Sequence, residues 1–198
     1  MQTMKNRKGL VVQLVDFKKF FDSERLRAIM ATLNSAKMNS KAYKCWFKLN
    51  KNTTINVATP AGLTQTAEVG EIVAQGSGGA ALVSGADVAR GLESHFSGSQ
   101  DEMSYGSIRL QPLAYQDDIC RLASSVNSTR AGSQKLSCLM KQKGLKCHPT
   151  KSVCIIIGSK KYRTEAKKEI EDDPVMFGDF TMKFVENEVY LGDGNIAC

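Results

Sequence analysis

The sequence places acidic residues at two points where they could act together. Asp16 directly follows a short apolar run, and Asp117 and Asp118 are adjacent between two apolar segments. Carboxylate oxygens on rigid backbone suit Mg²⁺, and two such ions about 3.5–4 Å apart can stabilise the attacking and leaving oxygens of phosphoryl transfer. Neighbouring side chains on a strand point to opposite faces, so Asp117 and Asp118 can share a site only near a turn. We expect Asp117 to be the primary metal ligand and Asp118 the auxiliary one.

The elements that must position these acids alternate between strand and helix patterns. Residues 10–15 form a β-branched run typical of a buried strand. A helix is predicted from the spacing of Leu26, Ile29, Met30 and Leu33. Further helices are predicted at 40–49, 80–96, 128–143 and 160–171. Strands are predicted at 54–57 and 153–157, with loop elsewhere in 50–70. Hairpins are predicted at 108–123 and 175–185. This order predicts an α+β fold of the ferredoxin-like, split βαβ type, with helices packed on one face of an antiparallel sheet.

Composition and charge limit the partners and the cellular location that can be expected for this chain. The chain has 198 residues, enough for one good core, with a net charge of +7 and a pI of about 9.1. The excess of lysine and arginine favours a polyanionic partner, although many basic proteins bind no nucleic acid. No apolar run reaches membrane-spanning length, and the N-terminus lacks the apolar region of a signal peptide. We therefore expect an intracellular protein, nuclear and/or cytoplasmic, with no membrane partner.

The cysteines and the basic clusters have ordinary explanations. None of the six cysteines forms a C-x-x-C pair, and Cys147 beside His148 lacks the ligand spacing of a structural zinc site. Reduced and mostly buried thiols are the expected state. Lysines in 141–151 could contact phosphates. The segment 160–171 also carries glutamates, so it predicts a salt-bridged, solvated helix face.

Five short segments along the chain form an ordered set. They are 16–22, Val73-Ala74-Gln75-Gly76, Tyr115-Gln116-Asp117-Asp118, 144–151 and Tyr190-Leu191-Gly192. In this order they resemble motifs A to E of the reverse transcriptases, and look closest to those of non-LTR (LINE-like) retrotransposons. A Tyr-x-Asp-Asp box alone recurs by chance, whereas five ordered motifs are specific. Gln116 is an uncommon residue between the tyrosine and the aspartates.

The resemblance implies a role for each matching residue. Two Mg²⁺ ions, with Mn²⁺ as the alternative, would be held at Asp16, Phe17, Asp117 and Asp118. Phe21 would lie under the sugar as a steric gate against a 2′-hydroxyl, with Phe20 beside it as a core aromatic. Lys151 would be a catalytic proton donor to the departing pyrophosphate, with a merely solvated lysine as the alternative. The remaining nucleotide contacts would be Phe17, Gln75, Gly76 and Tyr115, and Gly192 would belong to the turn that grips the primer end.

The same resemblance implies the biochemical function. The chain would be the palm domain of an RNA-directed DNA polymerase over 1–188, with 189–198 beginning the link to a thumb. Its partners would be an RNA template, a DNA primer and deoxynucleoside triphosphates. Only about fifteen residues precede Asp16, and the chain ends just after the motif E segment, so we expect fingers and thumb to be largely absent. The alternatives are a non-catalytic palm relic that binds nucleic acid or protein, and an RNA-dependent RNA polymerase, which Phe21 and the Gln-Gly pair of motif B disfavour. A nucleotide cyclase palm has no matching signature.

Overall fold

The computed structural model describes residues 9–23, 26–70, 79–98, 103–105, 107–189 and 195–197, which form a mixed α+β fold. The helices are α1 (Phe20–Ser23), α2 (Leu26–Ser35), α3 (Ser40–Asn50), α4 (Ala80–Phe96), α5 (Val126–Lys143) and α6 (Lys160–Asp172). The strands are β1 (Gly9–Lys18), β2 (Thr53–Ile55), β3 (Ala58–Thr59), β4 (Gly62–Leu63), β5 (Ala67–Gly70), β6 (Met103–Tyr105), β7 (Ile108–Leu110), β8 (Leu113–Tyr115), β9 (Asp118–Ala123), β10 (Lys146–Cys147), β11 (Val153–Gly158), β12 (Met176–Phe177), β13 (Phe180–Thr181), β14 (Lys183–Val185), β15 (Asn187–Val189) and β16 (Asn195–Ala197).

The main sheet is built around β1, which has neighbours on both sides. The strand order is β14-β11-β1-β9-β8, and β10 pairs with the C-terminal end of β1. β1 is antiparallel to β9, β10 and β11, whereas β14 is parallel to β11. The prediction of an antiparallel sheet is therefore wrong in this respect. The small hairpin predicted in 175–185 is present as β12–β13, with Gly178 and Asp179 at its turn, but it is shorter than predicted, because the last part of the segment pairs with β11.

Alternation of side chains along β1 gives the sheet two different faces. Val11, Val15 and Phe17 belong to the largest core cluster, which also contains residues of α4, α5 and α6. Val12 and Leu14 point to the other face, in a cluster whose described members all come from strands. Asp16 follows the alternation of this second set, so it lies on the sheet face opposite those three helices.

A buried arginine links the helices to the sheet on the covered face. Arg121 is 2% exposed, and it donates hydrogen bonds to the Ser128 carbonyl oxygen at 2.8 Å and to Gln13 Oε1 at 3.5 Å. Its guanidinium lies 5.6 Å from the centre of the Phe96 ring. Gly132 provides the space, because a Cβ there would lie 1.9 Å from Arg121 Cζ. A buried charge is tolerated only with such partners, so these contacts fix α5 over β1 and β9.

Asp87 attaches α2 to the helical layer. Its Oδ1 accepts a short hydrogen bond from Thr32 Oγ1, and its Oδ2 lies 2.5 Å from Lys143 Nζ. The Asp87 side chain is buried, so neither partner can be removed without leaving a buried polar group unpaired. This contact joins α2, α4 and α5.

The predicted elements agree with the structure except at a few points. The strand predicted at 10–15 extends to Lys18, so Asp16 lies within β1 rather than after it. The apolar stretch 108–114 is divided between β7 and β8, which pair with different strands. The segment 50–70, expected to be mainly loop, contains the four short strands β2 to β5.

Two expectations about surface and solubility can be compared with the described residues. The five described cysteines are free thiols, but only Cys120 and Cys154 are buried, so the expectation of mostly buried thiols is wrong. None of the helices in the described segments combines the length and apolar character that a membrane crossing requires.

The Arg121 site predicts an unusual response to a glycine substitution. Gly132→Ala should improve helix propensity by about 1 kcal/mol, yet the new methyl group would collide with Arg121. We expect a net loss of about 1–3 kcal/mol in the free energy of unfolding, measured by urea denaturation. Gly85→Ala in α4 is the matched control, because nothing lies within 4 Å of its added Cβ, and it should gain about 0.5–1 kcal/mol. Equal gains in both variants would contradict the proposed collision.

Candidate active site

Strand register places Asp16 and Asp118 directly opposite each other on β1 and β9. Side chains at opposite positions of antiparallel strands point to the same face, with Cβ atoms about 4.5–5.5 Å apart. Both carboxyl groups are half-buried. The structure thus brings together two of the predicted acids, on the sheet face opposite α4, α5 and α6.

Asp117 lies in the two-residue loop that joins β8 to β9. Tyr115 and Asp118 are paired across this loop, and Gln116 has a φ of +53°. Glycine or asparagine usually takes this left-handed conformation, which costs other residues about 1–2 kcal/mol. Tyr115 is 61% exposed and shares a face with Asp118. Register therefore makes Asp118 the direct partner of Asp16, while the ranking of Asp117 as primary ligand stays a prediction.

A short loop between β10 and β11 is bonded directly to the backbone of Asp16. The His148 N–H donates to the Asp16 carbonyl oxygen at 2.8 Å, and the Ser152 N–H donates to the His148 carbonyl oxygen at 2.9 Å. Ser152 Oγ accepts from the Asp16 N–H at 3.2 Å and donates to the Asp16 carbonyl oxygen at 3.4 Å. Ser152 is fully buried. These bonds hold the loop that carries Lys151 against Asp16.

The electrostatics of the two paired carboxyl groups reflect burial and crowding. Burial raises the pKa of Asp16 above its ordinary value of 3.8; Asp117 raises it further, while Lys151 and His148 lower it. Burial likewise raises the pKa of Asp118, and the charges of Asp117 and Asp16 add to the effect. The three carboxyl groups are therefore close enough to repel one another, and Lys151 offsets part of that repulsion.

A cavity of about 490 Å³ opens beside Asp16. Its lining residues are Asp16, Phe17, Lys18, Lys19, Ser23, Lys146, His148 and Lys151. Four of these eight described side chains are lysines and one is an acid, so the described lining has an excess of positive charge. An anionic ligand that reaches Asp16 through this cavity would meet favourable electrostatics.

Cys147 and His148 are adjacent in the chain but have different local surroundings. Burial raises the pKa of Cys147 to about 12, and the negative charge of Asp16 adds to the effect. In the absence of a bound cation, the thiol therefore stays protonated at neutral pH. His148 Nδ1 lies 3.0 Å from Thr150 Oγ1, which is a hydrogen bond within the loop.

The aromatic residues after Asp16 occupy different environments. Phe17 is 5% exposed and Phe20 is 3% exposed, and their rings stack with centroids 5.6 Å apart. Phe17 can therefore offer a metal or nucleotide only its main-chain atoms. Phe21 is half-buried and packs edge-on against Phe20 at 5.2 Å, in contact with two core clusters. Phe20 is a core residue as predicted, and Phe21 is the more accessible of the two.

The remaining predicted residues lie elsewhere. Gln75, Gly76 and Gly192 fall outside the described residues. Within the described segments, no group of three or more His, Cys, Asp and Glu side chains is arranged as a preformed metal site. Sequence reasoning missed Ser152, whose only signal is a hydroxyl residue immediately before an apolar strand run.

In comparisons with known proteins, no protein-family model matches this chain, and no curated protein matches it either.

The raised pKa of Asp118 predicts how stability changes with pH. The folded chain holds this proton more tightly than the unfolded chain, so the ionised carboxyl group destabilises the fold at neutral pH. Asp118→Asn should therefore raise the Tm by about 1–4 °C at pH 7 without divalent cations, corresponding to about 0.5–1 kcal/mol after allowance for solvent screening. The gain should shrink as the pH falls through the folded-state pKa toward 3.8. Asp179→Asn, at an exposed acid, is the control and should change the Tm little at any pH. A pH-independent gain in Asp118→Asn would contradict the assignment.

Ser152 should be more important than its size suggests. Ser152→Ala removes the hydroxyl that bonds both polar backbone atoms of Asp16, so we expect a loss of about 1–3 kcal/mol in unfolding free energy. Ser94→Ala, at an exposed serine of α4, should cost less than about 0.5 kcal/mol. Equal losses of unfolding free energy in the two variants, measured by urea denaturation, would contradict a special role of the bonds between Ser152 and the Asp16 backbone.

Proposed function

We propose that this chain is the palm of a reverse transcriptase of the non-LTR retrotransposon type. In this proposal it is an RNA-directed DNA polymerase that adds deoxynucleotides to a primer 3′ end, with an RNA template and two Mg²⁺ ions, for which Mn²⁺ is the alternative. The observation that carries the proposal is the register pairing of Asp16 with Asp118. It sets the acid of the motif A segment against the acids of the motif C segment.

The order of elements supports a palm of the ferredoxin-like, split βαβ type. The pattern runs β1, α4, β8, β9, α5, β11, and these four strands lie in the order β11-β1-β9-β8 with antiparallel neighbours. In such an arrangement the central strands bring distant carboxylates to one place while the helices cover the other face. The parallel strand β14 is added at the outer edge of β11 and leaves the central pairing unchanged. The palm would span 1–188, with 189–198 leading toward a thumb.

The donor set fits the hard cations that the function requires. Carboxylate oxygens are the ligands that Mg²⁺ prefers. Burial raises the pKa of Asp16 and of Asp118, and repulsion from the neighbouring aspartates adds to the effect. When bound, two Mg²⁺ ions would stabilise negative charge on the attacking and leaving oxygens of phosphoryl transfer. Asp16, Asp117 and Asp118 would hold these ions, and Phe17 could contribute only its main-chain carbonyl.

The surrounding residues would orient the nucleotide and move a proton. Lys151 is exposed, and its charge reaches both Asp16 and Asp118. From the loop anchored on Asp16, it could donate a proton to the leaving pyrophosphate. Phe21 rests on the buried ring of Phe20, so a sugar ring against it would meet a rigid surface. Gln75, Gly76 and Tyr115 would complete the nucleotide contacts.

Primer extension is the direct test of this function. The wild-type chain should extend a DNA primer on an RNA template with Mg²⁺ and deoxynucleotides, and Asp117→Asn should lower the rate by at least about 100-fold, since metal stabilisation of charge is worth several kcal/mol. The rate of primer extension by Asp118→Asn, measured in the same assay, shows which of Asp117 and Asp118 contributes more to catalysis. Asp172→Asn, at an exposed acid of α6 outside the proposed metal site, is the matched control and should keep wild-type activity.

A second readout separates an inactive chain from a wrong assignment. Mg²⁺ should raise the Tm of the wild-type chain, and this increase should be lost in Asp16→Asn. If Mg²⁺ stabilises the wild type but neither protein extends a primer, even with fingers and thumb supplied, the non-catalytic palm relic is the correct interpretation. If Mg²⁺ has no effect in either protein, the metal site itself is refuted.

Phe21 should control the choice of sugar. Phe21→Val opens space beneath the sugar, so incorporation of ribonucleotides relative to deoxynucleotides should rise at least about tenfold. The ratio is measured within one preparation and is therefore independent of the amount of active protein. A wild-type chain that prefers ribonucleotides would instead favour an RNA-dependent RNA polymerase.

A further inference from the structure

A second cavity adjoins the one beside Asp16 and shares two lysines with it. It has a volume of about 580 Å³ and lies between α5, the β10 region and the β12–β13 hairpin. Lys18 and Lys146 line both cavities, and they face each other as a register pair of β1 and β10. Both cavities therefore border this lysine pair, and their combined lining is here called the lysine trough.

The lysine trough is strongly basic. Lys19 and Lys151 line it near Asp16, Lys18 and Lys146 line its middle, and Lys141 lines its far part. Within the described segments, Lys18, Lys141 and Lys146 form no ion pair, in contrast to Lys143 or Lys167. Among the described residues that line the trough, Asp16 and Asp179 are the acids. Such a row of unpaired cations suits an extended polyanion.

The far part of the trough also offers an aromatic surface. Phe180 is half-buried, and it packs against the buried ring of Phe177 with centroids 5.6 Å apart. Met140 and Leu145 form the apolar floor beside these rings. A basic groove with an aromatic platform is the usual combination for holding single-stranded nucleic acid, because phosphates contact the cations and a base stacks on the ring.

We propose that the lysine trough binds single-stranded nucleic acid, with the backbone along Lys18, Lys146 and Lys141 and one base on Phe180. Two cavities of about 490 and 580 Å³ in series exceed the space that a lone triphosphate group fills, which favours an extended chain as occupant. This inference goes beyond the proposed polymerase activity, since the contacts use neither the carboxylates nor a metal ion.

Fluorescence anisotropy with a labelled oligodeoxythymidylate and a labelled oligouridylate, both in EDTA, tests the proposal. Lys141→Glu/Lys146→Glu should weaken binding at least about tenfold and should reduce the slope of log K against log[salt] by about 1.4, or 0.7 for each lost phosphate contact. Lys48→Glu/Lys168→Glu is the control, because it makes the same charge change at exposed lysines outside the trough and should change the affinity by less than about threefold. Phe180→Leu, with folding checked by circular dichroism, should weaken binding about 5- to 100-fold without changing the slope.

The competing outcomes are distinguishable. Equal losses in both double variants would mean that binding is spread over the basic surface, and would overturn the proposal. Displacement of the oligonucleotide by inorganic tripolyphosphate at the same phosphate concentration would mean that the trough takes a polyphosphate group instead. Asp118→Asn should bind the oligonucleotide as tightly as wild type, because the trough contacts do not involve this carboxylate. A failure of primer extension would therefore not contradict nucleic-acid binding by the trough. Loss of binding to the trough would likewise not contradict the carboxylate site.

Discussion

The pairing of β1 with strands on both sides is the constraint on which the rest of the structure depends. On one side β9 pairs with β1 without interruption from Val11 to Asp16. On the other side β11 pairs as far as Leu14 and β10 resumes at Phe17, so the ladder is broken beside Asp16. Buried backbone groups need partners, and Ser152 and His148 supply them at this break. The break between β10 and β11 therefore has two effects. It leaves the residues between these strands as a loop, and it leaves the Asp16 backbone groups to bond with that loop.

The candidate site is placed at a cost that the core must offset. Two half-buried carboxyl groups face each other with raised pKa values, and Gln116 takes a left-handed conformation beside them. These features all disfavour the folded state, and sequences normally avoid them where nothing is gained. Their concentration at one turn contrasts with the covered face, where Val11, Val15 and Ile119 are almost fully buried. The buried apolar residues on the covered face of β1 thus offset the free-energy cost of the crowded carboxyl groups and of the strained turn at Gln116.

Much of this arrangement could be predicted from the sequence, because the strongest signals are local. The helix predicted at 128–143 is observed at Val126–Lys143, and it ends where a glycine favours a stop, at Gly144 with its φ of +80°. Strand partners are not local, so the parallel position of β14 and the split of 108–114 could not be read from pattern alone. The choice of Asp118 as the partner of Asp16 is a register fact, and register depends on contacts distant in sequence. Ser152 was missed for the same reason, since its bonds reach a residue 136 positions away.

Register itself has an identifiable source on the covered face. Gln13 and Arg121 are opposite each other on β1 and β9, three residues along each strand from Asp16 and Asp118, or about 10 Å at 3.4 Å per residue. A slip of one residue would move Arg121 to the other face and separate it from the Ser128 carbonyl oxygen and the gap at Gly132. A buried guanidinium without those partners would be expensive, so the polar group adds to the apolar pattern in disfavouring a one-residue slip. We infer that the buried arginine helps to align the two carboxylates without contacting either, because its partners favour this register of β1 and β9.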